Sequence, residues 1–259
     1  MRIQALRSGI MKPPQHDLLA EISASLKVIP ERSVFVVTSK VVSIWQGKCI
    51  PASEVSDKDA LIMRESERYL PRESVPGAWV IHTIKNNLLI PSAGIDESNA
   101  DGHFILWPDM PYEAAEKILA WIREKYGVKE CGVIITDSHS GMLRRGVVGI
   151  SLGHAGFSAL NDYRHTKDLF GRELKVSQAN IPDSLAAAAV VAMGEGSECT
   201  PFALVTEAEF VRFCGVKCEP KTPEQELFSS FEIPPAEDLY APFIESVEWK
   251  KGGTKSNGN

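Results

Sequence analysis

The run Val133-Ile134-Ile135, which follows a helical segment and leads to Asp137, constrains the chain more than any other stretch. Consecutive β-branched residues suit an extended backbone and pack well on a pleated surface, so the run reads as a buried strand. Asp137 and Ser138 then deliver a carboxylate and a hydroxyl at the strand's end, and a loop carrying Arg144 and Arg145 follows. Hard cations take carboxylate and hydroxyl oxygens, and guanidinium forks match phosphate oxygens, so the stretch suits a metal-bound nucleoside triphosphate. It equally fits an ordinary strand end whose Asp caps the next turn.

Such a strand needs a core, and 259 residues with 44% hydrophobic content supply one large core or two modest ones. A net charge of -6 without any long Lys/Arg run argues against a nucleic-acid surface. Met1-Arg-Ile-Gln-Ala-Leu-Arg-Ser lacks the apolar core of a signal peptide, and the longest apolar stretch, Leu185 to Met193, is too short to span a bilayer. The expectation is a cytoplasmic protein with no membrane partner. Cys49, Cys131, Cys199, Cys214 and Cys218 are odd in number and scattered, which argues for reduced thiols. Cys214 and Cys218 have no second Cys/His pair at zinc spacing, so all five read as small buried hydrophobes.

Taken in order, Leu18, Leu19, Ile22 and Leu26 fall at helical spacing after a cap at His16 or Asp17. Ser33 to Thr38 is strongly β-prone and runs on into Ser39-Lys40-Val41-Val42. Lys40 so near a buried strand either meets an anion such as phosphate or snorkels to solvent. Asp57 to Leu70 reads as an amphipathic helix closed by Pro71. Trp79 to Thr83 and Leu88 to Ile90 flank Lys85-Asn86-Asn87, which has hairpin chemistry. Asp109 is expected to cap a helix whose inner face carries Ala115, Leu119, Ile122 and Tyr126, with Gly127 ending it. Val148 to Gly156 is a strand, Asn161 to Arg172 a polar loop, and Lys175 to Asn180 another strand. Asp183 is expected to cap an Ala-rich helix from Ser184 to Met193. Pro201 to Thr206 is a strand and Glu207 to Phe213 a short helix. His139, His154 and His165 stand apart from other ligands and read as surface or core histidines.

Two further stretches carry chemistry. A strand delivers Asp96 into the polar turn ending at Asn99, as a ligand or as an Asx-type turn. Met193-Gly194-Glu195-Gly196-Ser197-Glu198-Cys199-Thr200 opens backbone amides as phosphate-cradling turns do, although no Gly-Lys-Ser/Thr follows. Glu195 is a third carboxylate ligand or a solvated helix end.

The ordered set Ser92-Ala-Gly-Ile-Asp-Glu-Ser-Asn99, Thr136-Asp-Ser138 with Arg144 and Gly146, Asp168-Leu-Phe-Gly-Arg172 and Met193-Gly-Glu195 resembles the coenzyme F(420):L-glutamate ligase family. These γ-glutamyl ligases extend a deazaflavin coenzyme, and the similarity covers about residues 3 to 206. The resemblance implies an α+β fold (mixed α/β) of mixed, largely antiparallel sheets with packed helices, assembled as an intertwined homodimer. It implies GTP or ATP as co-substrate and two divalent cations, Mn2+ or Mg2+, around which three distant carboxylates meet. Asp96, Asp137, Ser138 and Glu195 would be the metal ligands. Ser39, Lys40, Asn99 and the turn of Met193, Gly194, Gly196, Ser197, Glu198, Cys199 and Thr200 would contact the nucleotide. Arg144 occupies the family's loop arginine, Arg145 stands where Glu is usual, and Lys40, Arg144 and Arg145 are expected to stabilise the transferred phosphoryl group.

The chain departs from the family at Ile44, which replaces a second lysine, in the loop Asp137 to Gly146, and at Ile3 to Gly9, which lacks a usual proline. Its Asp-Ser-His-Ser and Met-Gly-Glu-Gly-Ser-Glu versions look like a bacterial branch proposed to add γ-linked glutamate to folate. The expected activity is therefore nucleotide- and metal-dependent amide formation between L-glutamate and a folate-type or deazaflavin acceptor. The alternatives are a metal-dependent phosphohydrolase and a non-catalytic nucleotide-binding module. The catalytic domain is expected over residues 1–218, as one body or two interleaved subdomains. A Pro/Glu-rich extension, 219–259, follows, with the last ten or so residues disordered.

Overall fold

The computed structural model describes residues 1–218 and 231–254. The chain begins with β1 (Arg2–Leu6), α1 (Leu18–Ser25), β2 (Ser33–Thr38), α2 (Ser39–Gln46), β3 (Cys49–Pro51), α3 (Lys58–Glu65) and β4 (Arg68–Tyr69). It continues with β5 (His82–Lys85), β6 (Leu88–Pro91), β7 (His103–Ile105), α4 (Pro111–Tyr126), β8 (Cys131–His139) and β9 (Val148–Ala155). Then come β10 (Leu160–Asp162), β11 (Gln178–Asn180), α5 (Ile181–Met193), β12 (Phe202–Thr206) and β13 (Lys250–Lys251). The class is α+β, with mixed and mostly antiparallel sheets as expected.

The β-branched run sits in β8, near the middle of a five-stranded sheet ordered β1-β12-β2-β8-β9. Only the β2/β8 pair is parallel in that sheet. Alternation along β2 and β8 divides the core. Phe35, Val37, Val133 and Ile135 face α1, α2 and α4, while Val34, Val36 and Ile134 face α5. A third cluster, including Leu61, Ile62, Ile81, Ile95 and Phe104, fills the space between α3 and the smaller sheets β13-β4-β5-β6 and β3-β7.

β9 is pinned between two helices by the absence of side chains. A Cβ on Gly149 would lie 2.5 Å from the Ala186 carbonyl oxygen of α5, and one on Gly153 would lie 2.7 Å from the Pro111 backbone of α4. These residues are four apart yet meet opposite layers. The register shift between Ile135 and Thr136 leaves an extra residue, Leu152, in β9 and reverses the alternation.

Several boundaries differ from the sequence expectation. Ser39 to Val42 does not continue β2 but opens α2, whose Val41, Val42 and Ile44 are buried and whose end is closed by Gly47 at φ 71. α3 stops at Glu65 rather than Leu70, because the following residues pair with β5. The expected hairpin forms around Asn86 and Asn87, both at positive φ, but its first strand begins at His82 and Trp79 is left exposed. Asp109 does not cap α4: its carboxylate pairs with Lys48 at 3.0 Å and its backbone is gripped by Gln46, leaving Met110 in the cap position. Asn180, not Asp183, caps α5, and Asp183 instead accepts the Ser151 amide at 2.8 Å. β11 is confined to Gln178–Asn180, and no helix forms over 207–213.

The cysteine expectation is corrected: Cys214 and Cys218 are disulfide-bonded, while Cys49, Cys131 and Cys199 are free. Among the histidines, His154 packs against Tyr112 and Phe157, and exposed His165 pairs with Glu173 at 2.9 Å. Of the expected extension, residues 231–254 are described: Tyr112 donates to Glu232 at 2.8 Å, and Lys250–Lys251 pair with β4. The expected disorder of the last residues falls, for 255–259, outside the described residues. Among those described, no helix is long and apolar enough to cross a membrane.

Candidate active site

β8 aims Asp137 and Ser138, near its end, in different directions. Successive strand residues face opposite sides. Asp137 meets the indole N–H of Trp107, on the side of α2 and α4, while Ser138 donates to Glu195, just past α5, at 2.7 and 2.9 Å. Between these sides lies a cavity of about 650 Å3. All the residues that the sequence nominated as ligands or nucleotide contacts line it. Arg144 and Arg145 do not. They lie in the exposed turn after β8, where Arg144 donates to the neighbouring Leu143 carbonyl at 2.9 Å.

The α2 side is half-buried, and its Asp96 carboxylate is paired with an ammonium group. Lys40, second residue of α2, reaches Asp96 at 2.8 Å and also donates to the Ser98 carbonyl at 2.8 Å. Asp96 accepts the Ser98 amide at 2.7 Å, which is the Asx-type turn of the sequence expectation. Its backbone is locked to Ile105 by hydrogen bonds of 3.0 and 2.8 Å. Burial alone would raise the Asp96 carboxyl. The Lys40 hydrogen bond and charge, helped by Ser98, outweigh it and hold that group below the ordinary carboxylate range.

Asp137 goes the other way. Burial pushes its carboxyl up to about 6, with the charge of Asp96 adding, against hydrogen bonds from Trp107 and the Ser138 amide and the charge of Lys40. Asp96 and Asp137 thus influence each other on one wall of the cavity, and Lys40 neutralises them incompletely. An added cation would relieve that.

The α5 side is exposed and built from backbone. Gly194, at φ 83, ends the helix with the Glu198 carboxylate folded against it, and Glu198 accepts the Gly196 amide at 2.8 Å. Thr200 donates to the Met193 carbonyl, closing the turn. Asn99 donates to the Gly196 carbonyl at 3.0 Å and so ties the two sides together. Ser8, Gly9 and Lys12, from the segment after β1, complete the wall beside Cys199 and Thr200.

The expectation that three carboxylates meet around shared cations is only partly met. Asp96, Asp137 and Glu195 border one cavity, but among the described residues no three His, Cys, Asp or Glu side chains stand together as a metal-holding group. Each carboxylate is occupied instead by a protein donor: Lys40, Trp107 or Ser138. The available donors are nonetheless all oxygens, the set that Mn2+ and Mg2+ accept, so their chemistry fits divalent cations. Trp107 was missed by sequence reasoning. It is 30 residues from Asp137, and no local pattern marks it.

Residues 6–207 match the family model described as F420-0:Gamma-glutamyl ligase. The chain is 35% identical over 202 residues to the coenzyme F420:L-glutamate ligase of Methanopyrus kandleri, covering 71% of this chain and 79% of the relative. With the protein of that name from Methanocaldococcus jannaschii it shares 33% over 224 residues, covering 80% and 88% respectively. With that of Archaeoglobus fulgidus it shares 32% over 223 residues, covering 79% and 88%. The matched span carries every element that walls the cavity, and the chain belongs to the F420-0:γ-glutamyl ligase family.

Proposed function

We propose that this chain is an amide-forming γ-glutamyl ligase that joins L-glutamate to the γ-carboxylate of a folate-type acceptor. The reaction is driven by GTP or ATP and assisted by two divalent cations, Mn2+ or Mg2+. One observation carries the reading: Lys40, Asp96, Asp137, Ser138 and Glu195, far apart in sequence, border one cavity in a member of this family. Family membership supports the ligase class, since the relatives are named as coenzyme F420:L-glutamate ligases. The residue chemistry supports the rest.

The cavity wall carries five carboxylates, Asp96, Asp101, Asp137, Glu195 and Glu198, against two ammonium groups, Lys12 and Lys40. A triphosphate entering such a wall is repelled unless cations accompany it. Asp96, Asp137, Ser138 and Glu195 would hold those cations, which when bound neutralise phosphate charge. The first-turn amides of α2 suit phosphate oxygens. Ser39, Asn99 and the turn through Thr200 are the proposed nucleotide contacts.

A carboxylate is a poor electrophile, so the terminal phosphoryl group passes first to an oxygen of the acceptor's γ-carboxylate, and the nucleoside diphosphate leaves. The amine nitrogen of glutamate attacks the resulting acyl carbon, the bond from that carbon to the phosphate oxygen breaks, and phosphate departs as the nitrogen loses a proton to solvent. Phosphoryl transfer is mostly positioning and charge neutralisation. Lys40 supplies charge at the transferred group by exchanging its carboxylate partner for phosphate. Arg144 and Arg145 assist only once their exposed turn closes over the site. A homodimer and a cytoplasmic setting belong to the same reading.

The test offers GTP or ATP, Mn2+ or Mg2+, glutamate, and folate-type and F420-0-type acceptors side by side. Phosphate release should require both glutamate and acceptor, and mass spectrometry should find the folate-type product heavier by one glutamyl unit. Extension of F420-0 alone would reassign the acceptor. Phosphate release without either partner would identify a phosphohydrolase instead.

A further inference from the structure

Behind the cavity, Lys85, Trp107 and Asp137 stand in line although they come from β5, the segment after β7, and β8. Trp107 is 3% exposed, and a buried indole N–H needs an acceptor. It donates to Asp137 Oδ2. The ring's place is fixed from its surroundings. A Cβ on Gly94, at φ +72, would lie 2.1 Å from the indole nitrogen, so only glycine admits the ring there. Lys85 Nζ lies over the ring, 5.8 Å from its centroid, and is itself held 3.7 Å from Glu65. A cation over the ring draws on its π-electrons and so makes the N–H a stronger donor.

A carboxylate offers about four lone-pair sites. Trp107 uses one on Oδ2 and the Ser138 amide uses one on Oδ1, at 2.9 Å, so each oxygen keeps a lone pair and neither can swing. Asp137 lines the cavity, whereas Trp107 does not. We infer that Trp107 is a positioning residue: its indole N–H fixes the Asp137 carboxylate in the orientation in which it receives a divalent cation. The inference rests on the metal-dependent reading above. Removing a hydrogen-bond partner behind a metal ligand commonly costs about 10–100-fold in affinity.

Titration of Mn2+ into the nucleotide-free protein, followed by the paramagnetic resonance of the free ion, measures this without turnover. Site-specific replacement of Trp107 by 3-benzothienylalanine keeps the ring's shape and exchanges the N–H for sulfur. It should weaken Mn2+ binding about tenfold while leaving the thermal midpoint near that of the unmodified protein. Unchanged Mn2+ affinity overturns the inference. Should that protein not fold, Trp107→His, which keeps a ring N–H, is compared with Trp107→Phe, which has none. Tighter Mn2+ binding by the His variant is expected, and equal affinities overturn the inference. If the unmodified protein binds no Mn2+, the metal-dependent reading fails first, a result distinct from either.

Discussion

The two walls of the cavity are built on different principles. On the α2 side, Asp96 and Asp137 are half-buried, and each is held by one distant side chain, Lys40 or Trp107, and by the amide of a near neighbour, Ser98 or Ser138. On the α5 side, Glu195 and Glu198 are exposed and held by a hydroxyl and by backbone within the same turn. Burial makes the first wall stiff and electrostatically strong, since charges in a low-dielectric setting act further. Exposure leaves the second wall adaptable, as suits a surface that must admit and release a nucleotide.

The most severe way to break this contrast is Asp137→Ala. If the buried wall carries the chemistry, glutamate-dependent phosphate release should fall at least about a thousandfold with the circular dichroism spectrum unchanged. Glu195→Gln, which keeps the shape and removes the charge on the exposed wall, should lower the same rate about a hundredfold. A larger loss from Glu195→Gln than from Asp137→Ala would reverse the assignment of the two walls.

Stability offers a second comparison. Gly149→Ala, against α5, and Gly153→Ala, against α4, should each lower unfolding free energy by about 1–3 kcal/mol in urea melts, because helix backbone must move aside. A smaller effect on α5's side would show that the exposed wall yields more easily.

Acidity gives the next effect. Burial raises the Asp137 carboxyl to about 6 from its ordinary value near 3.8, so between those values this group holds more proton in the folded chain than in the unfolded one. Stability of the metal-free protein is therefore greatest below that window, falls as pH rises through it, and is level above it, a change under about 2 kcal/mol after screening. Asp137→Asn should flatten denaturation midpoints measured between pH 4 and 7. Smallest is Asn99→Ala, which removes the 3.0 Å bond joining the walls and should raise the KM for nucleotide about fivefold with little change in kcat.

The same contrast governs how far the sequence could be read. Asp137 was legible because a β-branched run leads straight to it, and Asp96 because its turn repeats the pattern. The Gly194 to Thr200 turn was legible from local backbone chemistry alone. Trp107 was not, since its importance arises only when the segment after β7 is laid beside β8. α2 misled because Val41 and Val42 favour extended backbone, and burial against the sheet's core overrode that preference. Asp109 misled for a related reason: a long-range lysine took the carboxylate that a local rule assigned to capping. The loop arginines lie outside the cavity lining, because spacing along a chain says nothing of where an exposed turn points.

The bare contacts at Gly149 and Gly153 have one more implication. Side chains between layers act as a cushion, absorbing small displacements by changing rotamer, whereas main chain against main chain has no such slack. β9 therefore couples the first turn of α4 mechanically to the middle of α5. A ligand that nudges one of them must be felt by the other.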